Sequence, residues 1–131
     1  MVASYILRNK IYGTTILLMD EPRRSIEREL RRGSLELIVL HLLAPGEAYG
    51  YEIVAKLTAQ TNGVLEVTDG TLYPVLYRLE RAGYVAVRWE TPARGVPRKY
   101  YRLTDSGREE LERLRNDWTT FATAMAKLLN T

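Results

Sequence analysis

At Gly83 the hydrophobic pattern of this chain changes period, and that change limits the folds open to it more than any other feature. Before the glycine, Leu72, Leu76 and Leu79 recur at intervals of 4 and 3, the repeat of a helix that buries one stripe. After it, Val85, Val87 and Trp89 alternate with Ala86, Arg88 and Glu90, the repeat of a half-buried strand. "TPARGVPR" (91–98) holds two prolines, a glycine and two arginines, so it is a turn, and "KYYRLT" (99–104) is the return strand. A helix that feeds straight into a β-hairpin with a long basic tip fits few small architectures.

The segments upstream extend the pattern. "SLELIVLHLLAPGEA" (34–48) is apolar on almost every side, which predicts a buried central helix ended by Pro45-Gly46. "YGYEIVAKLTAQTNG" (49–63) places Ile53, Val54 and Leu57 on one side and closes on Asn62-Gly63, a second helix with its stop. "VLEV" (64–67) is brief and β-leaning, and a short strand is expected there. Residues 22–32 carry Ile26 and Leu30 four apart among charges, a narrow apolar face. Residues 1–20 do not share the helical pattern that begins after them and read as a separate extension. Met19 offers a second start, so residues 1–18 are either a genuine arm or an upstream artefact of gene assignment.

Downstream of the hairpin, residues 105–131 predict one long helix. Its start is capped by Thr104, or by Ser106 with Glu109 at capping-box spacing. Leu111, Leu114, Trp118, Phe121, Met125 and Leu128 recur at intervals of 3, 4, 3, 4 and 3. This is a heptad seam that another helix must cover, and it is too short for an independent coiled coil. A second copy of the chain supplies that helix by symmetry, since an isologous contact needs only self-complementary residues.

Composition closes off other function classes. There is no cysteine among the 131 residues, which excludes disulfides, thiolate metal sites and a cysteine nucleophile, and suits a cytoplasmic location. One histidine, His41, cannot build a multi-histidine metal cluster, and its place in the central helix reads as a core or edge role. Glu27, Glu29, Glu109 and Glu110 read as solvated helix charges rather than catalytic pairs, and no glycine-rich phosphate loop is present. We therefore expect no enzyme activity, no cofactor and no metal. No apolar run approaches the roughly 18 residues of a membrane-spanning helix, so no membrane partner is expected. The net charge of +3 is uninformative by itself, but its distribution is not. Between Gly70 and Thr104, Arg78, Arg81, Arg88, Arg94, Arg98, Lys99 and Arg102 face only Glu80 and Glu90.

Three helices, a hairpin and a long helix make a mainly α chain with a small β-hairpin: a winged helix-turn-helix domain over residues 21–104, then a dimerisation helix over 105–131. In helix-turn-helix proteins the third of these helices enters the major groove of double-stranded DNA with its N-terminal residues toward base edges. Here that helix is "TDGTLYPVLYRLERAGY" (68–84), with Thr68 as N-cap and Asp69 favourable in the first turn. Opposite its leucine stripe it offers Thr71, Tyr73, Pro74, Tyr77, Arg78 and Arg81. Pro74 forgoes a bond to the Gly70 carbonyl and supplies a rigid apolar surface suited to a thymine methyl or a sugar. Tyrosine hydroxyls suit phosphate oxygens, contacts that fix register more than sequence. Arg94 at the hairpin tip suits a minor groove or phosphates, with Arg98 and Lys99 at its base.

"GTLYPVLYRLERAGYV" and "RKYYRLTDSG", preceded by "GYEI", together resemble the PadR family of bacterial and archaeal transcriptional regulators, over about Gly33 to Trp118. The resemblance implies an N-terminal winged-helix domain, a C-terminal dimerisation helix and repression of nearby genes from a pseudo-palindromic operator. By position, Thr71, Leu72, Tyr73 and Pro74 fall in the recognition-helix motif, Arg98, Lys99, Tyr100 and Tyr101 in the motif ending the wing, and Tyr51 of GYEI joins the DNA-facing set. A single helix after the wing is similar to the short branch of the family, and residues 1–20 have no counterpart.

The expected dimer interface comprises Leu111, Leu114, Trp118, Phe121, Met125 and Leu128, with Ile26 and Leu30 packing on the partner's terminal helix. Trp118 has two readings. It is a large core aromatic of that interface, or one wall of an apolar cavity between subunits that stacks a small planar aromatic effector, with Phe121 and Met125 beside it. The second reading rests on the short branch, where a tryptophan in this helix goes with such binding. Against the dimeric DNA-binding regulator stands one reading from another class, a winged-helix protein–protein interaction module without DNA binding. The arginine-rich wing argues for DNA.

Overall fold

The computed structural model describes residues 33–130. The chain divides into two units, 1–35 and 36–131, and nearly all described residues belong to the second. Residues 1–20, Ile26 and Leu30 lie outside the described residues. The elements are α1 (Leu35–Leu43), β1 (Ala48–Tyr49), α2 (Gly50–Gln60), α3 (Asp69–Arg81), β2 (Val85–Glu90), β3 (Arg98–Leu103) and α4 (Asp105–Leu129). The strands form one antiparallel sheet in the order β1-β3-β2.

The core is built where the sequence periods coincide. Val39, Leu40, Leu42 and Leu43 of α1 are buried, with Ile53 and Leu57 of α2. From α3 come Leu72, Val75, Leu76 and Leu79, a stripe at i, i+3, i+4 and i+7 in which Val75 completes the three leucines. Val85, Tyr101 and Leu103 bring the inner face of the hairpin onto this helical layer. At roughly 1.5–3 kcal/mol per fully buried large apolar side chain, these residues supply the main force that holds the hairpin to the helices.

Turn chemistry sets the boundaries. Past α2, Asn62 and Gly63 adopt φ of 53° and 79°, and the Gly63 amide donates to the Thr58 carbonyl. Gly83, at φ 82°, ends α3, where its amide donates to Glu80 O and the Tyr84 amide to Leu79 O. Of the two caps weighed for α4, Thr104 is the one used: its Oγ1 accepts from the Gly107 amide at 3.0 Å. Thr104 Oγ1 and Ser106 Oγ also donate to the Gly83 carbonyl, at 2.6 and 3.0 Å, so the end of α3 is tied to the start of α4.

Two expectations are corrected. Residues 64–67 are not a strand: Thr61 Oγ1 donates to Leu57 O and accepts from the Leu65 amide, which bends the chain at 64–65, and 66–67 are irregular. The short strand lies earlier, at Ala48–Tyr49, paired to Tyr101 and Tyr100. Trp89, placed by the alternation on the buried face of the strand, is 62% exposed, because burial fades along β2 as the hairpin runs past the end of the core.

Candidate nucleic-acid interface

The helix pair α2–α3 and the hairpin lie side by side, and α3 packs against both α2 and β2. Thr68 takes the N-cap position of α3, although its side chain caps no amide. Its carbonyl accepts from both Thr71 N (3.1 Å) and Leu72 N (2.9 Å), and its hydroxyl donates to the Thr71 hydroxyl. Pro74 sits inside the helix without breaking it. Lacking an amide proton, it leaves the Gly70 carbonyl without its helical donor, and Gly70 is exposed, so water can take that place. Thr71, Tyr73, Pro74, Tyr77, Arg78 and Arg81 are all exposed on one side, as the leucine stripe requires.

These side chains are not equally free. The Tyr73 ring lies across the start of α2, and its hydroxyl fills the space a side chain at Gly50 would need. Gly50 is buried and starts a helix whose preceding residue, Tyr49, has its amide bound by Glu52 Oε1 at 3.0 Å. Tyr73 thereby locks the two helices of the helix-turn-helix together while staying 45% exposed. The Tyr77 hydroxyl accepts from Arg81 Nη1 at 3.1 Å, and the Arg81 guanidinium lies 5.6 Å from the Tyr77 ring centre. Arg78 Nε meets Glu36 of α1 at 3.5 Å.

In the hairpin, strand alternation sorts the side chains onto two faces. Arg88 pairs with Tyr100, Glu90 with Arg98 and Ala86 with Arg102 on the outer face. There Arg88 donates through Nε and a terminal nitrogen to both oxygens of Glu47 and lies 4.6 Å over Tyr100. Hydrogen bonding by Arg88 holds the Glu47 carboxyl below its ordinary range and raises the guanidinium in return. The Arg98 guanidinium lies 4.8 Å over Tyr49, and the Tyr100 hydroxyl and Tyr49 both favour its charged form. Tyr49 stacks in turn on Tyr51, at 6.4 Å and 22° between planes, and Tyr51 is 69% exposed. Tyr51 and Arg98 therefore join one aromatic and cationic surface at the start of α2. Sequence reasoning gave Glu47 and Tyr49 no part in it. Its signal was the "YGY" run, two aromatics around a glycine where a strand meets a helix.

The inner face pairs Lys99 with Trp89 and Val87 with Tyr101. Lys99 turns toward α3, where its Nζ meets Glu80 Oε1 at 3.5 Å. Arg94, in the exposed 91–97 connection, has no carboxylate within ion-pair distance among the described residues.

The terminal helix corrects a further expectation. Leu111 is only 4% exposed, so the first seam residue is enclosed within its own chain, while Leu114 is half-buried. Beyond them Trp118, Phe121, Met125 and Leu128 are exposed, with the Trp118 and Phe121 rings 5.8 Å apart. A cavity walled by Trp118, Phe121 and Met125 needs a second helix. Among the described residues, a cleft of about 300 Å³ lies elsewhere, lined by Leu37, Ile38 and His41 of α1, Leu57 of α2 and Arg115. Among the described residues no helix is long and apolar enough to cross a membrane, and no group of three metal-ligating side chains occurs.

Comparison with known proteins agrees with this geometry. Residues 39–113 match the transcriptional regulator PadR-like family. A PadR family transcriptional regulator from Eggerthella lenta superposes with a TM-score of 0.75 at 36% identity, covering 88% of this chain and 98% of its own. A transcriptional regulator of Mycobacterium tuberculosis is 36% identical over 84 residues, which are 64% of this chain and 75% of that protein. The structure of Bacillus subtilis PadR in complex with operator DNA is similar at a TM-score of 0.56 and 30% identity, covering 65% of this chain. That protein, named a negative transcriptional regulator, is much longer, and the chain spans 44% of it. With a helix-turn-helix locked by Tyr73, a hairpin packed on its last helix and a family match across more than half its length, the chain belongs to the transcriptional regulator PadR-like family and is a DNA-binding regulator.

Proposed function

We propose that the protein is a repressor that binds a pseudo-palindromic operator as a homodimer. Residues 21–104 act as the reading domain and 105–131 as the dimerisation helix. The observation that carries this reading is the exposed row Thr71, Tyr73, Pro74 and Tyr77 at the start of α3, beside an exposed wing tip carrying Arg94, which has no ion-pair partner among the described residues. Thr71 and Pro74 approach base edges, and Tyr51, Tyr77, Arg78 and Arg98 meet phosphates. Arg94 enters the adjacent minor groove. The name of the Bacillus subtilis relative, a negative regulator, supports repression over activation.

Dimerisation rests on α4. A helix of 25 residues, about 37 Å long, that buries only its first turns leaves Trp118, Phe121, Met125 and Leu128 in water. Pairing two such helices removes that surface and sets the two α3 helices about 34–36 Å apart, one DNA turn. The same pairing encloses Trp118, Phe121 and Met125 as a slot for a small planar aromatic effector. Such a ligand releases DNA only if it prefers the spacing that does not bind.

The test is titration of the promoter of its own gene at several salt concentrations, with the mass of the complex measured in parallel. The expected result is two chains per duplex and a linear fall of log affinity with log salt. A protein that stays monomeric and ignores every duplex at low ionic strength leaves the protein–protein interaction reading in its place.

A further inference from the structure

The seven cations between Gly70 and Thr104 look equivalent in the sequence, but the fold treats Lys99 differently from the rest. Its Nζ is held by three elements at once. Trp89 of β2 lies 5.8 Å away by ring centre, Tyr101 of β3 5.4 Å, and Glu80 in the last turn of α3 places Oε1 at 3.5 Å. Both charged side chains are about one-third exposed, at 32% and 34%, well below the 58% of Arg78. The two residues are 19 apart in sequence, and Lys99 is the wing cation that reaches α3 through an ion pair among the described residues.

We propose that Lys99 is a positioning residue, which clamps the wing to the C-terminal turn of α3 through Glu80 and makes no phosphate contact of its own. The inference rests on the DNA-binding reading for its effect on affinity, but the clamp itself does not. Two contacts on one duplex, α3 in the major groove and Arg94 at the wing tip, act together only if their separation is fixed before binding. Otherwise the ordering of the wing is charged against affinity. Pairing with β1 and the Arg88–Glu47 and Arg98–Tyr49 contacts hold the hairpin on its other side, away from α3. The inner face of the hairpin, Val85, Val87, Tyr101 and Leu103, packs toward the helices, and burial has faded by Trp89. Lys99 lies at that point, where apolar packing ends and the exposed tip begins. Glu80 also cancels the long-range pull of Lys99 on phosphates, whereas Arg94 keeps its full charge.

The experiment compares Lys99→Met, Glu80→Gln, the double variant and Arg94→Gln on the promoter duplex over a range of salt. Lys99→Met keeps the apolar stem, and Glu80→Gln is close to isosteric. The clamp predicts that either single change weakens binding roughly fivefold, the scale of one partly exposed ion pair, and that the double variant is no weaker than either. The salt slope stays at the wild-type value, while Arg94→Gln makes it shallower by about 0.9. Lys99→Arg retains affinity. A phosphate-contacting Lys99 gives opposite signs: Lys99→Met lowers the slope by about 0.9, and Glu80→Gln tightens binding by removing a carboxylate beside the phosphates. Either result overturns the proposal. Amide hydrogen exchange without DNA decides the clamp separately. Exchange across 85–103 speeds up in Lys99→Met and in Glu80→Gln while the α1 core amides stay protected, and unchanged exchange overturns the proposal. A wild-type protein that bound no duplex would overturn the DNA reading and leave the exchange result standing.

Discussion

The carbonyl oxygen of Tyr84 occupies the space into which a side chain on Gly107 would project. The two residues join the turn after α3 to the first turn of α4, beside the Thr104 and Ser106 bonds to Gly83. The obstacle is backbone, so it cannot swing aside. Gly107→Ala is expected to destabilise the fold by about 2–3 kcal/mol, the upper part of the overpacking range, with no change in the surface exposed on unfolding. Urea unfolding checks this: the midpoint falls at constant slope. An unchanged midpoint would mean that the α3–α4 junction is not a tight contact.

Gly50 meets the opposite kind of obstacle, the far end of the Tyr73 side chain. Gly50→Ala is expected to push the tyrosine aside at a stability cost below about 1 kcal/mol and to weaken DNA binding about tenfold. Tyr73→Phe removes the nearest colliding atom, the hydroxyl, and leaves the milder overlap with the ring carbon Cζ, so the double variant should bind better than Gly50→Ala alone. A double-mutant cycle with additive terms would show that Tyr73 does not link the two helices.

Trp118 and Phe121 are exposed in the single chain, and the proposed dimer covers them. Replacing either with alanine is expected to cost about 2 kcal/mol of association, roughly thirtyfold in the dimer dissociation constant. Sedimentation over a dilution series measures this. The unfolding midpoint of the monomeric variant should stay close to the dilute wild-type value, because neither ring belongs to the core of its own chain. Unaltered dimerisation would move the interface away from this row.

Hydrogen bonding by Arg88 lowers the folded pKa of Glu47 from an ordinary value of 4.5. The folded chain thus binds that proton more weakly than the unfolded one. The contribution of Glu47 is present above the ordinary carboxylate value and is lost as pH falls through the depressed folded value. Glu47→Gln should lower the melting temperature slightly and by a constant amount between about pH 6 and 8, with the difference closing in acid. Both groups are exposed, so the effect is small. A difference that widened toward low pH would contradict the stated direction.

Much of this protein was legible in one dimension. The stops at Pro45-Gly46, Asn62-Gly63 and Gly83 and the cap at Thr104 lie at or next to the element boundaries they predict, because each acts through its own backbone or its nearest neighbours. The α3 stripe and the β2–β3 hairpin come from period alone, since one face of each must leave water. What period does not carry is the identity of a distant partner. Two-residue β1 is too short to display a repeat and exists because β3 pairs with it, while "VLEV" has strand-forming residues but no partner.

The same limit separates the site from its parts. The sequence located the cations; which of them are neutralised depended on Glu47 meeting Arg88 across 41 residues and Glu80 meeting Lys99 across 19. Leu111 shares the spacing of Trp118 and Phe121, yet it is buried in its own chain because the first turns of α4 pack on the domain. Residue order determined where this chain turns and which faces avoid water. The packing of those faces decided which charges stay free for a partner, because ion pairing depends on distance in space, which the spacing of residues along a chain does not record.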